Sequence, residues 1–359
     1  MIDTVTIDLP LSDLLPGITA AEEIVFLRGW DTRTRGDFTT WIRNPTPQEL
    51  AVGYHPTLTA YKHFHHNRRV FVKVQFSAPK LFWGNNLDEL ENCHAIPVAQ
   101  KLKVALANMG LTPNRDALLR AQVKNLHYSK NILLGNGYTA NEVIQTIGRI
   151  QSGGRLQKRE SQYNRNGSGV NLFNKSFGFS IYDKIPELGP ELIELLQQDG
   201  TAPQVMRLEA RLINKYKINH TFEKLDLGHN PTLLEVFDSE KSRRVVTHFW
   251  QELVAPQIAV VTQTGESPNS IIQTLIRTIP DMTIHKAIKV TSLILAGRAT
   301  GGLSELRTIV LSQKNWRTWT RLYKDIKEAS QALESQEDNW WEQIETQLAE
   351  YESLSLIEN

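Results

Sequence analysis

The chain has almost no cysteine: Cys93 is the single thiol in 359 residues. That excludes an internal disulfide framework and any zinc centre built on several thiolates, and it fits a reducing compartment. Long apolar runs are also missing. Even KAIKVTSLILAGRA is interrupted by Lys and Arg, short of the roughly 18 residues a membrane helix needs, so no membrane partner is expected. The opening MIDTVTIDLP is acidic and alternating, unlike a basic-then-apolar leader. Low complexity is absent too. Hydrophobic residues at 40% and charged residues at 22% are ordinary globular chemistry. At about 150 residues per domain the length predicts two or three units.

The net charge is only +1, but it is unevenly spread. Residues 325–359 hold ten acids and one base, a local charge of −9. The other 324 residues hold 39 bases and 29 acids, a charge of +10. A basic body with an acidic tail is compatible with nucleic-acid binding and equally with ordinary solvated surfaces.

Alternation from Thr4 to Leu9 predicts a half-buried strand. Residues 58–76, LTAYKHFHH-NR-RVFVKVQF, predict a hairpin turning at Asn67-Arg68, and SAPKLFWGNN a loop or short helix. Residues 88–110 have helical spacing broken at Pro97. RAQVKNLHYSKNI predicts another strand, and Thr139 with Glu142 a capping box opening a helix to about Ile150. SGGRLQKRESQYNRNGSG reads as a loop, and GVNLF-NKS-FGFSIYDK as a hairpin. PELIELLQQ is a short helix, VMRLEARLI a strand, and Lys215 starts a helix. The sum is α+β, a central mostly antiparallel sheet with helices on one face. No internal repeat is visible. From about 235 the pattern is helical. The expected segments are 1–235, an all-α domain over 236–335, and an acidic helical tail over 336–359, exposed or a partner site.

Three strands carry residues able to do chemistry. Side chains alternate across a strand, so Arg207, Glu209 and Arg211 share one face opposite Met206, Leu208, Ala210 and Leu212. Two guanidinium groups around a carboxylate suit phosphate, with the acid free to hold a divalent cation. The same pattern also reads as a salt-bridged solvent face. Ser180, Tyr182 and Lys184 share a face, where the lysine can lower the phenol's pKa of about 10. A half-buried tyrosine at a strand end is the other reading. His127 shares a face with Asn125 and Ser129, as a metal-ligating imidazole or as a structural one.

The order of these stretches is more specific than any one of them. VKVQFSAPKLFWGNN, QVKNLHYSKNI, NLFNKSFGFSIYDKIPE and MRLEARLINKY together resemble the replication initiators of filamentous phages, the gene II protein family. They also look like the related plasmid rolling-circle initiators with a tyrosine in a Y-[DN]-K strand. The match covers about residues 1–235, and YDKxxE followed by R-x-E-x-R carries most of it. The resemblance implies a rolling-circle-initiator-like nuclease fold, a metal-dependent site-specific endonuclease and strand transferase. It implies Tyr182 as the nucleophile with Lys184 beside it, and a 5′-phosphotyrosyl intermediate. Glu209 would ligate Mg²⁺ or Mn²⁺ while Arg207 and Arg211 hold phosphate. The partners it implies are single- and double-stranded origin DNA with host helicase and polymerase, in a bacterial cytoplasm, on a phage or plasmid replicon.

One departure from the family pattern stands out. His127 occupies a place where family members tend to carry an aspartate, ahead of Asn131. Either it replaces the carboxylate as a metal ligand and shifts preference towards Mn²⁺, or the metal site is altered. His63 and His65 resemble the His-hydrophobic-His signature of such nucleases, but they run into the expected turn. Arg155, Lys158, Arg159 and Arg165 cluster with Tyr163 just before the nucleophile strand, as a basic loop for DNA or as mobile surface. Lys314, Arg317, Arg321 and Lys324 form a basic stripe opposite Trp316, Trp319, Leu322, Tyr323 and Ile326. It reads as the last helix of a helix-turn-helix or as an amphipathic surface helix. The rival functions are a non-catalytic DNA-binding replication protein and a transposase or relaxase with the same tyrosine chemistry.

Overall fold

A computed structural model describes the chain apart from residues 15–28, 36–37, 63–69, 151–155, 164–166, 198–201, 263–267, 300–301, 334–338 and 358–359. Ten strands form one sheet: β1 (Ile2–Pro10), β2 (Asp31–Arg35), β3 (Phe38–Arg43), β4 (Thr57–Lys62), β5 (Val70–Ser77), β6 (Gln122–Leu134), β7 (Gln157–Tyr163), β8 (Gly167–Phe173), β9 (Phe177–Asp183) and β10 (Gln204–Leu212). Their order is β2-β3-β4-β5-β1-β6-β10-β9-β8-β7, and neighbours run antiparallel. The sequence shows no repeat, yet the topology is duplicated. β1 is followed by four strands that meander back to its side, and β6 by four that do the same on the other side.

Period-two alternation builds the main core on one face of the sheet. Val5, Ile7 and Leu9, Val72, Val74 and Phe76, Leu126 and Tyr128, and Leu208, Ala210 and Leu212 are all buried there. Helices Ala140–Gly148, Lys215–Lys224, Ser239–Leu253 and Asn339–Glu350 pack on these strands. The Thr139/Glu142 capping box forms, with Glu142 N donating to Thr139 Oγ1 and Thr139 N to Glu142 Oε2, both at 3.2 Å. Among the described residues no helix is long and apolar enough to cross a membrane.

Several elements differ from their sequence reading. Pro97 does not break a helix; it sits in the first turn of Ala95–Asn108, where its missing N–H is not needed. The stretch read as a basic loop contains β7, an edge strand paired with β8. Its polar composition hides it, because an edge strand here has little apolar surface to bury. The turn of the β4–β5 hairpin lies outside the described residues, with His63, His65 and His66.

Packing also divides the chain differently. Val245, Phe249 and Trp250 of helix Ser239–Leu253 belong to the main core, as do Trp340, Ile344, Leu348 and Tyr351. Trp250 and Trp341 stack with centroids 5.1 Å apart, and Trp250 Nε1 donates to Glu345 at 2.8 Å. The acidic end is therefore docked rather than an exposed tail. Residues 351–357 continue as a strap whose Leu354 N and Leu356 N donate to Glu89 and Asp88. A separate helical core spans residues 271–333, around Ile271, Val290, Ile294, Leu306, Trp319 and Ile326.

Candidate active site

The sheet face opposite the helices carries the polar residues. Arg207, Glu209 and Arg211 lie on it from β10, His127, Ser129 and Asn131 from β6, and Ser180 and Tyr182 from β9. The register sets them side by side: Arg211 pairs with His127, Glu209 with Ser129, and Arg207 with both Asn131 and Tyr182. β1 adds a residue the sequence reading missed. Strict alternation would place Asp3 with Val5 and Ile7 in the core. A register shift between Ile2 and Val5 against β6 turns Asp3 to the polar face instead.

Four adjacent strands, β1, β6, β10 and β9, thus converge on one carboxylate. Glu209 Oε1 lies 2.8 Å from His127 Nδ1. Glu209 Oε2 accepts from an Arg211 terminal nitrogen at 2.8 Å and from the Tyr182 hydroxyl at 3.2 Å. Asp3, His127 and Glu209 each offer a ligand atom, all within 4.8 Å of one another. Two carboxylates and an imidazole suit a hard divalent cation of the Mg²⁺ or Mn²⁺ kind. Asp3 brings a second carboxylate to this group, from β1.

Burial raises the Glu209 pKa, but hydrogen bonds and charge from His127 and Arg211 outweigh it and hold the carboxyl well below its usual range. Burial and then the Glu209 charge push the Tyr182 phenol well above its ordinary value. Tyr182 is 4% exposed. The His127 and Arg211 side chains, at 17% and 29%, are the groups through which solvent reaches the centre.

Lys184 lies just beyond β9. It is buried, paired with Glu187 at 2.9 Å, with its amine 5.7 Å from the Tyr182 ring centroid. Burial, then the Arg207 charge, lowers its pKa from 10.5 to about 8. The strand ends at Asp183 and Lys184 takes helical φ/ψ, so the alternation does not reach it, and the phenol it was expected to acidify is raised instead.

Arg207 departs from its sequence reading. Its side chain is buried, and its three nitrogens donate to Asn131 Oδ1 at 2.7 Å, to Asp3 Oδ1 at 3.4 Å and to the Asn86 carbonyl. It is a strut that holds Asp3, with no guanidinium edge left for phosphate. Nearby, Val205 lies on the same side of β10 and joins Leu87, Ile185, Leu188, Leu196 and Ile357 in a small apolar cluster that closes this end of the face.

The other basic residues lie elsewhere. Lys158 donates to the carbonyls of Gly148 at 2.6 Å and Ile150 at 3.2 Å, closing the end of helix Ala140–Gly148 instead of reaching for DNA. Arg159 is in β7, and Arg155 and Arg165 lie outside the described residues. Arg317, Arg321 and Lys324 are exposed on helix Trp316–Ala332, whereas exposed Lys314 terminates the helix before it. Trp316 is 43% exposed beneath Arg307, not part of the buried side. No protein-family model matches the chain, and no curated protein matches it.

Proposed function

We propose that the chain is a rolling-circle DNA replication initiator that nicks one strand through Tyr182. The carrying observation is the meeting of the Tyr182 hydroxyl with Glu209 inside a set of cation ligands, Asp3, His127 and Glu209, drawn from three neighbouring strands. The Tyr182 oxygen attacks the scissile phosphorus. The new O–P bond joins the 5′ side of the DNA to the tyrosine as the bond to the 3′ oxygen breaks, and that oxygen takes a proton to leave a 3′-OH. Return attack by a 3′-OH reverses the step and rejoins a strand. Glu209 accepts the phenol hydrogen bond and orients the oxygen; held this far below its usual range it does not keep the phenol proton, which passes on to solvent. Arg211 is the partly exposed guanidinium beside the centre and the one placed to meet phosphate charge. A divalent cation held by Asp3, His127 and Glu209 would supply Lewis-acid polarisation of the phosphate. Lys184 and Arg207 keep the phenol and Asp3 in place.

The near-complete burial of the phenol favours a second reading, a DNA-binding protein without nuclease activity. One experiment separates the two. Purified chain, Mn²⁺ or Mg²⁺ and single-stranded oligonucleotides tiling a candidate origin are mixed and resolved in SDS. A covalent adduct that Tyr182→Phe abolishes supports the proposal. Absence of adduct with every oligonucleotide, or an adduct that persists in Tyr182→Phe, rejects it.

A further inference from the structure

The two halves of the sheet can be compared by counting outward from one pair of the β1–β6 ladder, which shifts register between Ile2 and Val5 and between Thr6 and Ile7. Val5 and Leu126 face each other across the β1–β6 pair. Counting five residues on from Leu126 gives Asn131, which pairs with Arg207, which pairs with Tyr182. Counting five residues on from Val5 gives Pro10, which pairs with Phe71, which pairs with Tyr61. Tyr61 therefore occupies in the first half of the sheet the register position that Tyr182 occupies in the second. A two-fold axis through an antiparallel pair keeps the same face, so both tyrosines stand on the polar side. Each donates to a carboxylate, Tyr61 to Asp8 Oδ2 at 2.6 Å.

The rest of the first half has changed chemistry. Glu209 is three residues from the centre by its pairing with Ser129; the matching position on β5, paired with Asp8, is Lys73. His127 is matched by Thr6, and Arg207 by Phe71. A lysine stands where a cation ligand would be, so this half is suited to an anion. Lys73 is exposed, with its amine 4.9 Å from the Tyr61 ring centroid, and Phe71 lies 6.3 Å from the same ring. Lys124, at 3.3 Å, and Tyr61 both meet Asp8 Oδ2, while Asp8 Oδ1 is buried without a hydrogen-bond partner among the described residues. Lys215 donates to Gln122 at 3.0 Å; burial first, and the Lys124 charge second, lower its pKa against the pull of Asp8. Beside Lys73 and Tyr61 a cavity of about 330 Å³ opens, its charged and polar lining being Asp8, Asp13, Arg120, Gln122 and Lys124, with Phe71 at its wall. Asp3 and Asp8 are five residues apart on β1, about 16 Å at roughly 3.3 Å per residue. The two places thus lie along one polar surface.

We infer that the first half of the sheet is a second DNA subsite, where Lys73, Lys124 and Arg120 hold phosphates of the single strand entering the Tyr182 centre and Tyr61 with Phe71 stacks on its bases. The inference rests on the nicking reading for its substrate, and its test separates the two. Full-length chain is titrated with fluorescently labelled single-stranded DNA at several salt concentrations. The Lys73→Ala/Lys124→Ala variant should lower the slope of log affinity against log salt by roughly 1.4, about 0.7 per phosphate contact. Tyr61→Ala should weaken binding roughly tenfold, and Tyr61→Phe, which keeps the ring, should stay within about twofold of wild type. Lys73 is exposed and the Lys124 side chain 28% exposed, so the lysine variant, with Lys73→Ala alone beside it, keeps the test valid if Tyr61→Ala fails to fold. Unchanged slope and affinity in the lysine variant overturn the inference even where wild type forms the Tyr182 adduct. Slope loss without any adduct supports the subsite and rejects the nicking reading. No DNA binding by wild type rejects both.

Discussion

Arg207→Lys distinguishes a strut from a phosphate contact. The arginine uses three nitrogens in three directions, to Asn131, Asp3 and the Asn86 carbonyl, with no solvent around it. A lysine keeps the charge but ends in a single point, so it serves one of these directions well and leaves about two buried acceptors unmatched. At roughly 1.5–3 kcal/mol for each hydrogen bond to a charged group, the expected loss is about 3 kcal/mol or more. Urea unfolding of wild type and variant measures it. DNA affinity is followed in parallel against salt. The strut account expects a large fall in stability and a salt slope matching wild type for the fraction that is folded. A variant as stable as wild type would refute it, and a salt slope smaller by about 0.7 in the uncharged Arg207→Gln would return Arg207 to the DNA.

Lys184 gives a pH signature. Its folded pKa of about 8 lies below the ordinary 10.5, so between these values the unfolded chain binds the extra proton, and stability rises with pH across that window. The full rise is about 3 kcal/mol; wild type should gain on Lys184→Met between pH 7.5 and 10, and parallel curves would reject this. Gly302 has a φ of +123°, and a Cβ there would lie 2.5 Å from the Arg149 carbonyl oxygen. Gly302→Ala should therefore cost about 2 kcal/mol in urea unfolding, with no loss contradicting the close approach. Trp341→Ala removes the stack on Trp250 and should cost about 2 kcal/mol. Amide exchange at Leu354 and Leu356 should quicken with it, since the strap they anchor follows that helix.

Which side chains share a face was legible wherever a strand is half buried and regular. The alternation of Arg207, Glu209 and Arg211, and of Ser180 and Tyr182, holds in the structure, as do the strand pairings of both hairpins and the Thr139 cap. Three things were not legible, each for a physical reason. Strand order is set by long-range pairing, so no local pattern announces that β1 inserts between β5 and β6. Asp3 reaches the site through a register shift, which period-two reasoning inverts. Burial of Arg207 depends on the 85–91 segment folding over it, far away in sequence. β2, β3 and β7 escaped notice because DTRTR, FTTWIR and QKRESQY carry little apolar alternation.

That polarity at the margins has a consequence of its own. An open sheet ends in two rows of unsatisfied amides and carbonyls, and a second molecule can extend it indefinitely by adding strands. Here the outermost strands are DTRTR and QKRESQY, dense in charge and almost devoid of grease. Stacking another copy against either border would bring charged strands together, so their composition itself guards against fibre growth.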